Sequence, residues 1–159
     1  MEWTNKVEKE AAYQTFILQT KALLEGERNA IANLANTSAL LNDLLPNTVF
    51  AGYYLYDGKE LILGPFQGGV SCVHIELGKG VCGISGKERR TVVVDDVKKF
   101  DNYISCDARA MSEIVVPLVK EDKLIGVLDL DASITAAYDD IDVKYLEEFV
   151  EILVNACDF

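Results

Sequence analysis

The sequence predicts an α+β domain in which helices pack on a mostly antiparallel sheet of about six strands. Two helical stretches open the chain and one closes it. Between them lie β-prone runs whose short, hairpin-like connections favour antiparallel neighbours. No repeat, low-complexity tract or linker interrupts the 159 residues, so one domain is predicted over 1–159.

Residues 1–46 are predicted to hold two helices. The stretch 5–25 is rich in good helix formers and has a rough apolar stripe. The stretch 28–45 has a clearer stripe and ends at Pro46. The stripes are Tyr13, Phe16, Ile17, Leu23 and Leu24 in the first helix, and Ile31, Leu34, Ser38, Leu41 and Leu45 in the second. Such helices suit either a layer on one face of the sheet or the seam of a dimer.

Residues 47–137 are predicted to form the sheet and the loops of a site. β-branched and aromatic runs predict strands at 49–56, 60–66, 70–77, 91–94, 114–119 and 123–130. Asp57-Gly58 is a hairpin signal, and the last two strands are predicted to pair as a second hairpin. The glycine-rich segment 78–83 is predicted to lead into a short helix, whereas 95–111 has no clean period and is predicted to be a loop.

Residues 138–159 are predicted to form the last helix. Asp139 is suited to cap its first turn, because an aspartate oxygen can accept from the free backbone amides there. The predicted core face of this helix is Val143, Leu146, Val150, Leu153 and Cys157.

The charge of the chain limits its partners. The formal net charge is −11, which repels phosphate backbones and anionic lipids, so neither nucleic acid nor a membrane surface is an expected partner. No apolar run approaches the roughly 20 residues that span a bilayer. The first residues, MEWTNKVEKEAAYQTF, lack the basic and apolar regions of a signal peptide. These features predict a cytoplasmic protein.

Four cysteines in a cytoplasmic chain indicate buried thiols, a metal site or a redox site rather than a disulfide scaffold. No pair has C-x-x-C spacing, and zinc sites usually use close ligand pairs. A Cys₃His site with the single His74 is therefore not favoured, and no metal is expected. Burial as small apolar side chains remains an alternative for all four, and it suits Cys157 on the stripe of the last helix.

Cys106 is the least suited to burial, because it lies in a polar loop. It is a candidate reactive thiol, and Arg109 could lower its pKa. Cys72 and Cys82 flank a glycine-rich turn that could bring either one to Cys106. The spacing leaves open which of the two pairs with it.

Acidic residues form the second candidate cluster. Asp129 and Asp131 are predicted to point to the same side of a strand as Ile125 and Val127. Two carboxylates on one side of a largely buried strand are costly unless they meet donors or a cationic ligand. Equally, the strand could surface there, with the acids capping a turn. Glu113 begins the partner strand and could complete a cluster of three acids.

Acids beside a reactive thiol suit a substrate with a cationic group and an electrophilic atom. An amino acid supplies an ammonium, and a sulfoxide supplies a sulfur that a thiolate can attack once its oxygen is protonated. The thiol would become a sulfenic acid, and a second cysteine would condense with it to form a disulfide.

Several motifs then identify a resemblance. They are Gly52-Tyr53-Tyr54, Cys72, Gly80-Val81-Cys82-Gly83, Thr91 to Val97, Cys106-Asp107, Ser112 to Leu118, and Asp129-Leu130-Asp131. In this order the chain resembles the free methionine-(R)-sulfoxide reductases, which are stand-alone GAF-domain enzymes, over nearly its whole length. The resemblance implies a GAF fold and an oxidoreductase that reduces free L-methionine-(R)-sulfoxide to methionine.

The resemblance also implies roles for the thiols. Cys106 would be the nucleophile that takes the sulfoxide oxygen, Cys72 the resolving thiol, and Cys82 a helper in recycling by thioredoxin. No cofactor is implied beyond this electron donor. A homodimer and a role in oxidative-stress defence follow from the family in the same way.

The acids and two aromatic residues would bind the substrate. Glu113, Asp129 and Asp131 would hold its ammonium and help to protonate the sulfoxide, while Tyr54 and Phe50 would line a pocket for the S-methyl group. The chain departs from the family at two positions, with Phe50 in place of the usual tryptophan and Tyr103 in place of a histidine. The alternatives are a GAF module that senses a small ligand without chemistry, and a thiol redox sensor.

Overall fold

The computed structural model describes residues 2–159, so Met1, where the predicted domain begins, lies outside the described residues. The elements are α1 (Lys6–Leu24), α2 (Ala30–Leu44), β1 (Thr48–Tyr56), β2 (Glu60–Gly68), β3 (His74–Glu76), α3 (Gly80–Glu88), β4 (Val92–Val94), β5 (Ser112–Lys120), β6 (Lys123–Ala132) and α4 (Asp140–Ala156).

The six strands form one sheet in the order β3-β2-β1-β6-β5-β4, and every neighbouring pair is antiparallel. The predicted α+β class with an antiparallel sheet is confirmed. None of the helices in the described part of the chain is long and apolar enough to cross a membrane.

The sheet separates two apolar clusters, because successive side chains of a strand point to opposite faces. On one face α1, α2 and α4 cover the main core, to which β1 contributes Ala51 and Tyr53. On the other face α3 and the loops cover a smaller cluster, to which β1 contributes Phe50 and Tyr54. The candidate site lies on this second face.

The apolar stripes of the first two helices are confirmed except at one residue each. Leu23 is 40% exposed and Ile31 is 59% exposed, whereas the other members of both stripes are buried. On this face of the sheet α2 packs on β1 and β2, and α1 packs on α2 and α4, which agrees with the predicted helical layer.

The last helix begins as predicted. The Asp139 side chain accepts hydrogen bonds from the backbone amides of Ile141 and Asp142, and Asp142 completes a capping box. Of the predicted core face, Val143 is half-buried and the rest, including Cys157 just beyond the helix, are buried.

The predicted strand 70–77 is much shorter than expected, since only His74–Glu76 is a strand. The preceding residues turn towards the second face of the sheet, where the Tyr54 hydroxyl lies 3.0 Å from Ser71 Oγ and donates to the carbonyl of Cys72. These bonds hold the backbone away from a continuous β ladder. The loop 95–111 is irregular as predicted, apart from one 3₁₀ turn at Val97–Lys99.

The hairpin between β5 and β6 has a two-residue turn, Glu121-Asp122, with φ of 51° and 62°. Two positive φ values are the mark of a type I′ turn, which matches the twist of the strands. A register shift follows between Leu118 and Val119. Because of this irregularity Ile125 packs on the helical core instead of sharing a face with Val127, so that part of the prediction is wrong.

A buried ion pair joins α1 to α4. Lys9 Nζ bonds to Asp142 and, at 3.1 Å, to Asp139 Oδ1, while the Tyr13 hydroxyl donates to Asp142 Oδ1 at 2.5 Å. Asp142 is fully buried. The two ends of the chain are therefore tied by charges that have little access to water.

Replacing Asp142 tests this connection. Asp142→Asn removes the buried anion of Lys9 and leaves only the more exposed Asp139 beside the ammonium, so we expect a loss of about 3–5 kcal/mol in the free energy of unfolding. Urea denaturation measures it. The control is Asp140→Asn in the same helical turn, where the side chain is exposed and the loss should stay below about 1 kcal/mol. Equal losses in the two variants would contradict the assigned role of the pair.

Candidate active site

A recess opens on the second face of the sheet, between β1, β5, β6, α3 and the loop that carries Cys106. All of the side chains predicted for the site line this recess except Cys72, which reaches it through a bond to Cys106. The cavity inside the recess has a volume of about 30 Å³. The disulfide form of the site is therefore narrow.

Three carboxyl groups form the floor of the recess. Glu113, Asp129 and Asp131 have only 5%, 5% and 8% of their surface exposed. Strand register brings them together, because Glu113 of β5 lies opposite Asp131 of β6, and Asp129 is two residues from Asp131 on the same face. The predicted three-acid cluster is present, and the alternative in which the strand surfaces at these acids is wrong.

The environment of the acids favours their neutral forms. Burial raises the pKa of Glu113, and the charges of Asp129 and Asp131 raise it further. Burial also raises the pKa of Asp131, again with the charge of Asp129 acting in the same direction. For Asp129 burial raises the pKa, while hydrogen bonds from Glu113 and Asp131 act against this. A cluster of this kind retains a proton that it can donate.

The cluster has no internal cation. Within residues 2–159 none of the three acids forms a salt bridge, and Asp129 Oδ1 is buried without a hydrogen-bond partner. The cationic residue on the wall of the recess, Lys79, bonds to Glu76 at the exposed rim. A ligand with a positive charge would supply what the cluster lacks.

Cys72 and Cys106 form a disulfide, with their Cα atoms 5.2 Å apart. Both residues are half-buried at the mouth of the recess. The pairing that the spacing left open is thus Cys72 with Cys106 in this structure. Cys157 lies outside the site and is a free thiol in the helical core.

Cys82 is a free, buried thiol on α3. Its Sγ lies 3.8 Å from Glu113 Oε1 and donates to it. Burial raises the pKa of Cys82, and the charges of Asp129 and Glu113 raise it further.

Gly80 allows α3 to start just before Cys82, since the φ of Gly80 is +64° and a Cβ atom there would lie 3.0 Å from Ile104 Cδ1.

The loop that carries Cys106 is held at both ends. The Val97 amide donates to the Met111 carbonyl, and the Met111 amide donates to the Ala132 carbonyl at the end of β6. Arg109 binds Asp107 through Nε and Nη2, and the Asp107 carboxylate also accepts from the Arg109 amide. The guanidinium predicted to act on Cys106 is therefore already paired with a carboxylate.

Aromatic side chains form one wall. The Phe50 ring stacks on Tyr54 and on Phe66, with centroids 5.9 and 5.1 Å apart. Tyr103 lies across the recess and is half-buried. Burial and then the charge of Glu113 raise the pKa of Tyr103, so its hydroxyl stays protonated.

Ser71 was not predicted as a site residue. It meets the hydroxyl of Tyr54 and lines the recess. Its signal in the sequence was only its place beside Cys72, since serine is common in any loop. Tyr103 and Phe50 were identifiable as departures from a family pattern, which is a stronger signal.

Comparison with known proteins supplies the context. The family model described as "GAF domain" matches residues 32–158. The free methionine-R-sulfoxide reductase of Escherichia coli is 45% identical over 129 residues, covering 81% of this chain and 78% of that protein.

Two solved structures are similar over most of their length. That of fRMsr of Staphylococcus aureus in complex with its substrate is 52% identical, with a TM-score of 0.87, and covers 91% of this chain and 94% of that one. That of free methionine-R-sulfoxide reductase from Neisseria meningitidis in complex with its substrate is 38% identical, with a TM-score of 0.91, covering 98% and 92%.

The buried acids predict an unusual dependence of stability on pH. Because their pKa values are raised by folding, the folded protein binds more protons than the unfolded chain, whose carboxyl groups titrate near about pH 4. Their contribution is complete below that pH and is lost as pH rises through the folded-state values. We expect Glu113→Gln to be more stable than the wild type at pH 8, by more than about 1 kcal/mol.

Thermal unfolding at pH 5 and pH 8 measures this difference. Glu148→Gln, which removes an exposed carboxylate from α4, is the control and should follow the wild type at both values. A difference between Glu113→Gln and wild type that does not grow with pH would refute the argument.

Proposed function

This chain belongs to the GAF-domain family, and from that premise we propose that it reduces free L-methionine-(R)-sulfoxide to methionine with its own thiols. One observation carries the proposal: a buried cluster of three acids, which have no salt-bridge partner in the described part of the chain, lies in the same recess as a cysteine pair at bonding distance. Relatives named as free methionine-R-sulfoxide reductases support it.

The acids select a free amino acid. The substrate's ammonium would take the place of the missing cation beside Glu113, Asp129 and Asp131, and would pair with the Asp129 oxygen that lacks a partner. A peptide-bound methionine has no ammonium, so it would leave these groups buried and uncompensated. Phe50 and Tyr54 would hold the S-methyl group against their stacked rings.

The chemistry takes two steps in the reduced enzyme. First, Cys106 sulfur attacks the sulfoxide sulfur while an acid of the cluster protonates the sulfoxide oxygen, which passes to Cys106. A thiol and a sulfoxide thus become a sulfenic acid and a thioether, and methionine leaves. Second, the thiol of Cys72 attacks the sulfenic acid, which forms the Cys72–Cys106 disulfide and releases water.

A dithiol must then reduce the disulfide. We propose thioredoxin, whose reducing potential suits this exchange and whose presence would place the reaction in the cytoplasm. The half-buried position of both sulfurs at the mouth of the recess is compatible with direct attack. A helper role for Cys82 in this recycling and the association of two copies through the helices stay predictions.

The first test is a coupled assay that follows NADPH oxidation by thioredoxin reductase and thioredoxin. We expect turnover with free methionine-(R)-sulfoxide, and none with the free S epimer or with an N-acetylated sulfoxide. Cys106→Ser should lose at least about a thousandfold in turnover, because the nucleophile is gone. Cys157→Ser is the matched control and should keep full activity. If a folded wild type reduces none of the three, a ligand-sensing GAF domain becomes the better account.

A second test separates a reductase from a thiol sensor. Glu113→Gln removes an acid that would bind and protonate the substrate, so turnover should fall by about a hundredfold or more. Peroxide should still form the Cys72–Cys106 disulfide in this variant, as shown by thiol titration, because oxidation needs only the two sulfurs. Turnover near the wild-type rate would contradict the role given to the acids.

A further inference from the structure

Cys82 brings a sulfur donor into the acid cluster. One donor atom from each of Cys82, Glu113 and Asp129 lies within 4.8 Å of the other two, and all three residues are buried. They come from α3, β5 and β6, far apart in the sequence. An ammonium ion requires oxygen acceptors only, so the sulfur is a feature that binding of an amino acid does not explain.

The spacing suits a small thiophilic cation. Bond lengths of about 2.3 Å to sulfur and about 2.0 Å to oxygen, at tetrahedral angles, put the two donors about 3.5 Å apart. Cys82 Sγ and Glu113 Oε1 are 3.8 Å apart, so they need only a small adjustment. Three protein donors and one water make an open four-coordinate site, whereas Mg²⁺ and Ca²⁺ require six or more oxygens.

An unpaired oxygen of Asp129 also points to a ligand beside these three donors. Asp129 is 95% buried, and its Oδ1 has no partner although the side chain lines the recess. The narrow space left in the recess is enough for an ion. Thiolate sulfur favours zinc and softer metals over hard cations of the same charge.

We propose that Cys82, Glu113 and Asp129 bind Zn²⁺ or a similar thiophilic divalent cation, and that the bound cation excludes the substrate. The second part rests on the proposed function, since the cation and the ammonium would share two carboxylates. When the cation binds, the Cys82 thiol releases its proton to solvent and the thiolate sulfur coordinates the metal. The spacing of cysteines and histidine along the chain does not reveal this donor set, because α3, β5 and β6 bring it together only in the folded protein.

The test uses a variant that has no redox thiols. Cys72→Ser combined with Cys106→Ser cannot form the disulfide, so Cys82 and Cys157 remain as its thiols. Cadmium serves as the probe, because its bond to a thiolate gives an ultraviolet charge-transfer band. We expect one Cd²⁺ per chain with this band, and no binding of Mg²⁺ by calorimetry.

Further substitutions in that background identify the donors. Cys82→Ser should abolish the band, Asp129→Asn should weaken Cd²⁺ binding at least tenfold, and Cys157→Ser should change neither. Circular dichroism checks that each variant is folded. Absence of the band from the parent variant, its persistence without Cys82, or its loss without Cys157 would overturn the proposed site.

Competition then tests the effect on the substrate. Free methionine-(R)-sulfoxide should raise the apparent dissociation constant of Cd²⁺ at least tenfold more than alanine does. Alanine is the control, because its amino and carboxylate groups chelate Cd²⁺ in solution in the same way. Binding of the sulfoxide without any Cd²⁺ is measured separately. Failure of that binding would count against the proposed function alone, and an unchanged Cd²⁺ affinity despite sulfoxide binding would overturn the exclusion.

Discussion

Three carboxyl groups buried side by side, with no salt-bridge partner among residues 2–159, are the constraint on which the rest of this structure depends. Burial and the repulsion between ionised carboxylates raise the pKa of Glu113 and of Asp131, and the fold must hold these two and Asp129 together despite that cost. It does so with two long antiparallel strands, β5 and β6, each of which has a neighbour on both sides in the sheet. Neither strand can move aside, because the helical core packs on their opposite face.

The same molecule also holds a buried acid in the ordinary way. Asp142 is fully enclosed, yet it meets the ammonium of Lys9 and the hydroxyl of Tyr13. Asp142, which joins two helices, therefore has a cation and a hydroxyl donor beside it. The three acids of the recess have no salt-bridge partner among the described residues. The acids that lack a cation therefore lie beside a recess that a ligand can enter.

Local rules predicted the antiparallel sheet, the cap at Asp139 and the acid cluster, because each depends on residues close in sequence or on a simple alternation. They did not predict the early end of the strand before His74, which follows from side-chain bonds made by Tyr54 to Ser71 and Cys72. Nor did they predict the face of the sheet on which Ile125 lies, because a register shift arises from the pairing of two strands and not from one strand's sequence. The pairing of Arg109 with Asp107 joins residues only two apart, so it depends on local sequence alone.

The regular part of β6 beyond the register shift near Ile125 limits which insertions and deletions the chain can tolerate. Beyond it, β6 runs in regular alternation from Gly126 to Ala132, and every second residue belongs to the helical core. A deletion of one codon between Gly126 and Leu128 would turn Leu128 and Leu130 towards the recess and the aspartates into the core, if the start of β6 kept its place. The segment can therefore accept substitutions far more readily than a change in length, and viable insertions or deletions belong in the turns that border it.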